Sequence, residues 1–586
     1  MTTAWTYWTE DLARRLSEQL QRSVDATELV SPPRPEMGDF AFACFHLAKE
    51  RQVSPVLVAQ EIAHAFARSS SEIASATSAG PYVNFTLHAG DVVRRVIEDV
   101  ERAKGHYGDS LVGDGQQLLL EYAQPNTHKE IHVGHLRNIA LGVSLTRILE
   151  ANAWKVIQAT YHGDVGAHVA KCLWYMLRQQ RLHIASVTEA DISKMLEDIP
   201  MDQHTGKYLG GLYTASTLAL DEQPEAKEEV SAIQRHLESH HPVLERLWEE
   251  TRRWSLGEMM AIFDDLGVRS DRQYLESEVV NRGQQMVDDL LMRGVAKESQ
   301  GAIVVDLEEK KLGIFLIRKS DGTSLYATKD LALAELKAKE FPQAMRSLML
   351  VDNRQSLYFQ QLFETLRLMH FTQSFEFVGY DFVTLKSGAM SSRDGNVVTY
   401  QSFRESVCEY ARTEILQRHE DWSAEKVRDM AWKIAMGGMK FGMLKQDSDK
   451  VFTFDLEQSL SFDGDTGPYC QYAATRLNSI LKKAGYQAGG DESISRGCDQ
   501  ASEKSLALMI ATLPARIEQA GKELRPCVIA QWCVLMAQHI NAFYRDVNVM
   551  ESSEDIRDTR LRLVASARDA LARGLWLLGI HLPDEM

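Results

Sequence analysis

The sequence predicts a multi-domain protein in which an α/β domain with parallel strands lies between a small α+β module and an α-helical bundle. Its 586 residues are several times the length of one ordinary domain. An apolar run at residues 118–123 is followed by a helical periodicity over 136–149 and a second strand pattern at 156–160, which together predict a β-α-β unit. From Phe403 onward the pattern is almost entirely helical.

Residues 1–108 are the predicted α+β module. Helical patterns over 5–20 and 56–67 precede a strand pattern at 82–87. A turn rich in Gly and Asp at 105–115 then separates this module from the buried strand that begins the next domain.

Residues 109–400 are the predicted α/β domain, of the Rossmann type. A segment at about 170–300 consists mostly of charged amphipathic helix and is predicted to be an insertion. Strand patterns return only after it, at residues 302–307, 314–317, 348–352 and 375–383. We therefore expect a nucleotide-binding sheet that is split in the sequence.

The C-terminal part is predicted to be all helical. We divide it into a helical linker, 401–460, and a helical bundle, 461–586, because residues 464–468 form the clearest break in the pattern.

Composition excludes several classes of protein. The net charge of −17 argues against a polybasic coat for nucleic acid, although local basic surfaces remain possible. The 7 cysteines are scattered and form no CxxC pair, which favours reduced thiols over a disulfide scaffold or a zinc knuckle. No run of about 18 apolar residues occurs, so we expect a cytoplasmic protein with no membrane contact.

The sharpest chemical signal is the string His132-Val133-Gly134-His135, between the first sheet strand and the helix after it. Helix amides and two imidazoles at this place can meet phosphate oxygens, and Gly134 allows close approach of an adenine ring. Two other interpretations are an ordinary capped helix start and a metal site, because His128 and His132 are four residues apart. The glutamate of the zinc-binding motif HExxH is absent, so we expect no metal ligands here.

A second signal is the segment 386–396, which contains small residues, glycines and cations after the strand pattern at 375–383. Such a loop can close over a triphosphate. The alternative is an ordinary surface hairpin with solvated charges.

These motifs resemble the signatures of a known family. His132 to His135 resembles the HIGH signature of class I aminoacyl-tRNA synthetases, and residues 389–393 resemble a degenerate KMSKS signature. Within that class the chain resembles the arginyl-tRNA synthetases over essentially its whole length. The segments that carry this resemblance are 121–126, 162–166, 321–330, 351–355, 467–472, 569–573 and 578–580.

The resemblance implies a fold and a reaction. The expected fold is a class I catalytic domain with an insertion, an N-terminal additional domain and a C-terminal anticodon-binding bundle of the DALR type. The expected reaction activates L-arginine with ATP and Mg²⁺ as arginyl-adenylate and transfers arginine to tRNA(Arg), and the expected state is a monomer. His132 and His135 are implied as catalytic residues, with Gly134, Met390, Ser391 and Ser392 in the ATP site.

A pocket for a guanidinium group is also implied. Two carboxylates in bidentate reach discriminate arginine from lysine and citrulline. The residues that match the family's arginine-binding positions are Glu121, Asn126, Tyr326, Asp330 and Gln355. Taken alone, without the family pattern, Glu121 and Asp330 favour a structural ion pair or a helix cap over a functional role.

The chain departs from the family at KMSKS, since neither lysine is present in residues 389–393. Lys129, just upstream of the HIGH residues, stands where arginyl-tRNA synthetases often carry a replacement lysine. We therefore expect Lys129 to neutralise the leaving pyrophosphate, with help from Arg393 and Lys386.

The remaining partner is tRNA, whose unpaired anticodon bases are read by stacking and edge hydrogen bonds. The side chains that supply such groups in the C-terminal bundle are Tyr472, Arg476, Trp532, Phe543 and Tyr544. Core packing is an alternative for each aromatic. In the N-terminal module Asn84 is a candidate contact, with a turn or strand-edge asparagine as the alternative.

Two rival functions remain open at this point. One is a class I synthetase for another amino acid, which predicts a pocket without paired acids. The other is a catalytically silent tRNA-binding paralogue, for which the missing KMSKS lysines are the support.

Overall fold

The structure is a computed structural model that describes residues 3–66, 73–238, 241–320, 325–386, 398–489 and 494–586. The N-terminal module packs helices against a four-stranded antiparallel sheet of order β1-β2-β4-β3. Its elements are α1 (Ala4–Leu20), β1 (Leu29–Val30), β2 (Phe40–Ala43), α2 (Phe45–Arg51), α3 (Pro55–Phe66), β3 (Ile73–Ala79), β4 (Tyr82–Leu87) and α4 (Ala89–Ala103). The expected helices and the strand at 82–87 are confirmed.

The middle of the chain forms the α/β domain and its insertion. Its elements are β5 (Gln117–Glu121), α5 (Val133–Ala151), β6 (Lys155–His162), α6 (Ala167–Gln179), α7 (Glu189–Asp198), α8 (Gly206–Glu222), α9 (Lys227–Glu238), α10 (Pro242–Leu266), β7 (Arg272–Leu275), α11 (Glu276–Met292), β8 (Lys297–Ser299), β9 (Ala302–Leu307), β10 (Gly313–Arg318), α12 (Tyr326–Glu340), β11 (Ala344–Asp352), α13 (Ser356–Leu368), β12 (Ser374–Tyr380) and β13 (Val383–Leu385).

A five-stranded parallel sheet of order β12-β11-β5-β6-β7 is the centre of this domain. From β5 the chain builds the sheet outward through β6 and β7 on one side. It later adds β11 and β12 on the other side. The strand order therefore reverses between β5 and β11, and such a switch point opens a crevice at the carboxyl ends of the strands.

Two expectations about this sheet are wrong. The parallel sheet resumes with β7, inside the segment that we predicted to be inserted. The strands at 302–307 and 314–317 belong instead to a separate antiparallel sheet of order β10-β9-β8. The reason is the short connection between β9 and β10, since parallel neighbours need a crossover of a dozen or more residues.

The helices α6 to α10 have their own hydrophobic core, separate from the core of the parallel sheet. Its buried residues include Leu173, Trp174, Leu209, Leu244 and Trp248. The insertion is therefore a packed helical unit beside the crevice.

The C-terminal part is helical, as expected, apart from one short strand that pairs in parallel with β13. Its elements are α14 (Tyr400–Arg418), α15 (Ala424–Leu444), β14 (Phe452–Phe454), α16 (Leu456–Ser459), α17 (Gly467–Lys483), α18 (Ala501–Ala511), α19 (Leu513–Glu523), α20 (Cys527–Asp546) and α21 (Glu554–Leu577). All seven cysteines are free thiols. No helix in the described ranges has the length and apolarity that crossing a membrane requires. The divisions at residues 108, 400 and 460 stay predictions.

Candidate active site

The helix α5 begins at the carboxyl edge of the parallel sheet, at the switch point. Its Asn138 side chain accepts a hydrogen bond from the Ala123 N–H at 2.6 Å and donates to the Leu350 carbonyl at 3.1 Å. This one side chain is therefore bonded to the chain just after β5 and to β11, the two strands between which the order reverses. The N-terminus of α5 is fixed at the mouth of the crevice.

His132 and His135 cap this helix. His132 is the N-cap residue, and its Nδ1 accepts from the Gly134 N–H at 3.1 Å. The Nδ1 of His135 accepts from the His132 N–H at 3.2 Å. The two ring centroids are 3.9 Å apart. The capped helix start that we considered as an alternative is thus present, and it orients both rings.

The capping bonds also determine where each ring carries its proton. Burial, together with the nearby positive charge of Lys129, lowers the pKa of His132 to about 4. Burial lowers the pKa of His135 well below its usual value. Both rings are therefore neutral at pH 7, and a neutral ring whose Nδ1 accepts a bond holds its proton on Nε2. The site offers two neutral Nε2–H donors.

Gly134 is required by the cap itself. A Cβ at this position would lie 2.8 Å from the Cε1 atom of the His132 ring. Any larger residue would displace the ring from the end of the helix, so the glycine has a structural role here in addition to the close approach of a nucleotide that we expected.

All of the second motif except Lys386 lies outside the described residues, including Met390, Ser391, Ser392 and Arg393. The residues that flank residues 387–397 are described. On the near side, Lys386 Nζ pairs with Asp455 at 2.5 Å. On the far side, the Val133 N–H donates to the Val398 carbonyl at 3.1 Å, and the Tyr400 N–H donates to the Ile131 carbonyl at 2.8 Å. The chain that follows the second motif is therefore hydrogen-bonded directly to the residues around the start of the first motif.

A cavity of about 340 Å³ lies between the sheet edge and the insertion, and one of its lining residues, Lys129, has a charge that acts on both histidines. Three predicted residues line it, namely Asn126, Lys129 and Tyr326. Its other polar lining residues are His168, Lys171, Tyr213, Gln234, Glu276, Lys319 and Lys329. Four lysines against one carboxylate make this a cationic cavity, which suits a polyphosphate or a substrate carboxylate.

The carboxylates of the site form a cluster around Asp330. Burial raises the pKa of Asp330 to about 7. The Tyr358 hydroxyl donates a hydrogen bond to Asp330 and opposes this rise, whereas the negative charges of Glu121 and Glu276 increase it. Burial raises the pKa of the Tyr161 hydroxyl well above its usual value, and the same three acids add to this rise. Within the described part of the chain this hydroxyl has no hydrogen-bond partner. A cationic ligand with several N–H donors would satisfy this cluster.

Glu121 and Glu276 differ in how they are held. Glu121 is 4% exposed, and its carboxylate accepts from Lys337 Nζ and, at 2.9 Å, from Gln124 Nε2. Glu276 lines the cavity and pairs with Lys329 at 2.6 Å. Burial raises the pKa of Glu276. We did not predict Glu276, which directly follows the short strand β7 that sequence reasoning missed.

Gln355 lies apart from this cavity. It is the N-cap of α13 and lines a separate hollow with Asp352 and Arg354, which pair at 2.6 Å. Its helix is connected to the acidic cluster because Tyr358, one turn later, donates to Asp330.

His128 belongs to the interior. Its Nε2 is 2.9 Å from the Thr251 hydroxyl and its Nδ1 is 3.0 Å from the Thr127 hydroxyl. It precedes the helix, with φ of 57°, so His128 and His132 do not share a helical face. Among the residues described, no group of three His, Cys, Asp or Glu side chains is arranged for a metal ion.

Three of the predicted tRNA contacts lie together on the surface of the C-terminal bundle. The Arg476 guanidinium is 3.9 Å from the Tyr544 ring centroid and 5.5 Å from that of Tyr472. Tyr472 is 38% exposed and Tyr544 is 44% exposed. Tyr472 also lines an apolar hollow of about 430 Å³ together with Trp422. Exposed rings beside a guanidinium form a surface on which bases can stack.

The other three candidates are buried. Trp532 is 2% exposed and its indole N–H donates to the Thr512 hydroxyl at 3.0 Å, while Phe543 is fully buried. Asn84 is 2% exposed and belongs to β4, an inner strand between β2 and β3. In this conformation none of the three offers a surface to tRNA, and the alternative of core packing describes both aromatics.

Comparisons with protein families match three successive parts of the chain. The model "Arginyl tRNA synthetase N terminal domain" matches residues 6–87, "tRNA synthetases class I (R), catalytic domain" matches 97–456, and "DALR anticodon binding domain" matches 470–586. Together with the switch-point crevice and its histidine pair, these matches define a class I aminoacyl-tRNA synthetase.

Relatives of known name agree along the whole chain. It is 34% identical to the arginine–tRNA ligase of Bdellovibrio bacteriovorus over 95% of this chain and 94% of the relative. It is 31% identical to the enzyme of Clostridioides difficile over 98% and 97%. The Thermus thermophilus arginyl-tRNA synthetase structure superposes with a TM-score of 0.78 at 26% identity and full coverage of both chains. The chain belongs to the arginyl-tRNA synthetase family.

Proposed function

We propose that the cavity and the histidine pair attach L-arginine to tRNA(Arg) in two steps. In the first, a carboxylate oxygen of arginine attacks the α-phosphorus of ATP, and the bond to pyrophosphate breaks. In the second, a terminal ribose hydroxyl of tRNA attacks the carbonyl carbon of arginyl-adenylate, and AMP leaves. The observation that carries this proposal is the cationic cavity with a carboxylate cluster at its edge, beside two neutral imidazole donors.

We assign the Nε2–H groups of His132 and His135 to the phosphate oxygens on which charge develops. Donors that are already oriented do not have to reorganise as the charge appears, which is the main source of such stabilisation. Lys129 and Arg393 are assigned to the leaving pyrophosphate, and Met390, Ser391 and Ser392 are assigned to the nucleotide. Mg²⁺ enters with ATP as the counter-ion of its polyphosphate and belongs to the substrate.

For arginine itself, Asn126 is assigned to the α-amino end and Tyr326 to the pocket wall. Gln355 is assigned to the α-amino group and neighbouring atoms by resemblance alone, since it lies apart from the cavity. Asp330 and Glu121 are the carboxylates implied by resemblance, and we add Glu276. Glu276 lines the cavity, whereas the Glu121 carboxylate already accepts two hydrogen bonds. A guanidinium that displaces Lys329 from Glu276 would keep a positive charge beside the buried carboxylate, whereas citrulline would leave it unpaired.

The exposed Tyr472, Arg476 and Tyr544 are assigned to anticodon bases. We further propose that the protein acts as a cytoplasmic monomer, which sedimentation with and without tRNA would test.

The experiment for the proposed function measures AMP and pyrophosphate released in the presence of total tRNA and one amino acid at a time. We expect release with arginine and none above background with lysine, glutamate or cysteine. Release with another amino acid in place of arginine would support the first rival, a synthetase of different specificity.

A further inference from the structure

The inserted helix α8 contacts the chain just before the HIGH residues. At Gly210 a Cβ would lie 2.8 Å from Glu130 Cγ and 3.1 Å from the Glu130 backbone nitrogen. The helix therefore approaches residue 130 as closely as a glycine allows. Tyr213, three residues further on and hence on the same face, comes next to Lys129.

Tyr213 holds the Lys129 ammonium through its ring. The Lys129 Nζ lies 4.6 Å from the ring centroid, and the Nζ of Lys171, on α6, lies 5.8 Å from it. Both distances are within the range of a cation–π attraction. Within the described ranges no carboxylate forms an ion pair with Lys129, in contrast to Lys329, which pairs with Glu276.

The chemical group that holds the Lys129 ammonium determines how much of its charge remains available to a phosphate. A carboxylate would orient Lys129 but would also cancel its charge, so that a phosphate would have to compete for it. An aromatic ring orients the ammonium and leaves its full charge available. The lysine side chain has a flexible stem of four carbons. A neighbouring aromatic ring that limits the motion of this stem reduces the conformational entropy that is lost when a phosphate binds.

We propose that Tyr213 is a positioning residue for the reaction: its ring, presented by the inserted helix α8, holds the ammonium of Lys129 in the cavity for the leaving pyrophosphate. This inference rests on the proposed role of Lys129. It gives the insertion a part in the chemical step in addition to any contact with tRNA.

The test is a double-mutant cycle in the full-length protein, with arginylation of tRNA as the measurement. We expect Lys129→Ala to lower kcat more than tenfold. Tyr213→Leu should lower kcat about fivefold, with the KM for arginine unchanged within about twofold. Tyr213→Phe keeps the ring and should retain wild-type kcat. In the double variant, Tyr213→Leu should add nothing to Lys129→Ala, because the ring then has no ammonium to hold.

Tyr175→Leu is the matched control, since Tyr175 is a partly exposed tyrosine of the same insertion and does not line the cavity. It should leave kcat unchanged. If Tyr213→Leu lowers the thermal midpoint by more than about 5 °C relative to this control, Tyr213→Met takes its place in the cycle.

The outcomes distinguish a failure of the role proposed for Lys129 from a failure of the role proposed for Tyr213. If Lys129→Ala changes kcat by less than tenfold, the role of Lys129 fails and the inference fails with it. If Lys129 matters but Tyr213→Phe is as slow as Tyr213→Leu, or the two losses multiply in the double variant, then the role of Lys129 stands and that of Tyr213 is overturned.

Discussion

The backbone N–H of Val133 donates to the carbonyl of Val398 at 3.1 Å. Val133 is the first residue of α5, and Val398 is the first described residue after residues 387–397. The two signature motifs of the synthetase are far apart in sequence, yet this hydrogen bond holds the chain that follows the second motif beside the first motif.

Val133→Pro tests this bond without removing a helical one. Val133 is the first helical residue, where proline is well tolerated, and His132 has the extended φ and ψ that a following proline requires. We expect kcat about fivefold below that of Val133→Ala, which corresponds to roughly 1 kcal/mol for one lost hydrogen bond. Val133→Ala controls for the lost side chain. Equal rates for the two variants would show that the bond does not affect catalysis.

His132→Asn separates capping from catalysis. Asparagine is a good N-cap, and its side-chain oxygen can accept from the Gly134 N–H as Nδ1 does now. It cannot supply the Nε2–H donor, and we expect kcat to fall about 100-fold. The thermal midpoint should stay close to that of the wild type. A parallel loss of stability and activity would instead mean that the cap is the main role of His132.

Asp330 predicts a pH dependence of arginine binding. Its pKa is about 7 because the carboxyl is buried, so it is increasingly protonated below pH 7. A guanidinium binds the ionised form, and the KM for arginine should rise about twofold from pH 8 to pH 7 and about fivefold from pH 7 to pH 6. The KM values at pH 6, 7 and 8 measure this. Asp330→Asn should have a raised KM without this slope, and a slope that persists in that variant would assign it to another group.

Buried histidines predict a loss of stability in acid. Burial lowers the pKa of His128 to about 3 and that of His162 to about 4. In the unfolded chain these histidines bind a proton near pH 6.5, whereas in the folded protein they stay neutral to a much lower pH. The free energy of unfolding is therefore unaffected by them above pH 6.5 and decreases as the pH falls. At pH 5 each histidine lowers the free energy of unfolding by about 2 kcal/mol. Asp330, with its raised pKa, works in the opposite direction, and a variant is therefore needed to isolate the effect.

His128→Asn is that variant, since asparagine tolerates the positive φ of residue 128. The thermal midpoint should fall less between pH 7.5 and pH 5 than it does in the wild type. An unchanged difference between the two pH values would contradict the assignment to His128.

The sequence predicted those features whose signals are local. The strand β5, the helix α5 and the strand β6 were predicted because each has its own apolar periodicity. The strand β7 was missed because it has four residues, and two of them, Arg272 and Gln273, are polar. Periodicity also does not specify partners, and β9 was therefore assigned to the wrong sheet.

The same limit applies to the site. The histidine pair was found because both residues lie within one four-residue string, but its tautomers depend on capping bonds that only the backbone geometry defines. Glu276 and Tyr213 come from β7's end and from the insertion, and no local motif marks them. Arg137 would be read as a solvated helix residue, yet it is fully buried and donates to the carbonyls of Asp381, Asp447 and Lys450.

The most direct test of the central claim is ATP-dependent attachment of labelled arginine to total tRNA, by the wild type and by His135→Ala. We predict that the wild type forms arginyl-tRNA and that the variant, with one Nε2–H donor removed, forms it at least about 100-fold more slowly. Tight binding of tRNA by the wild type without any charging would contradict this account and would support the silent tRNA-binding paralogue.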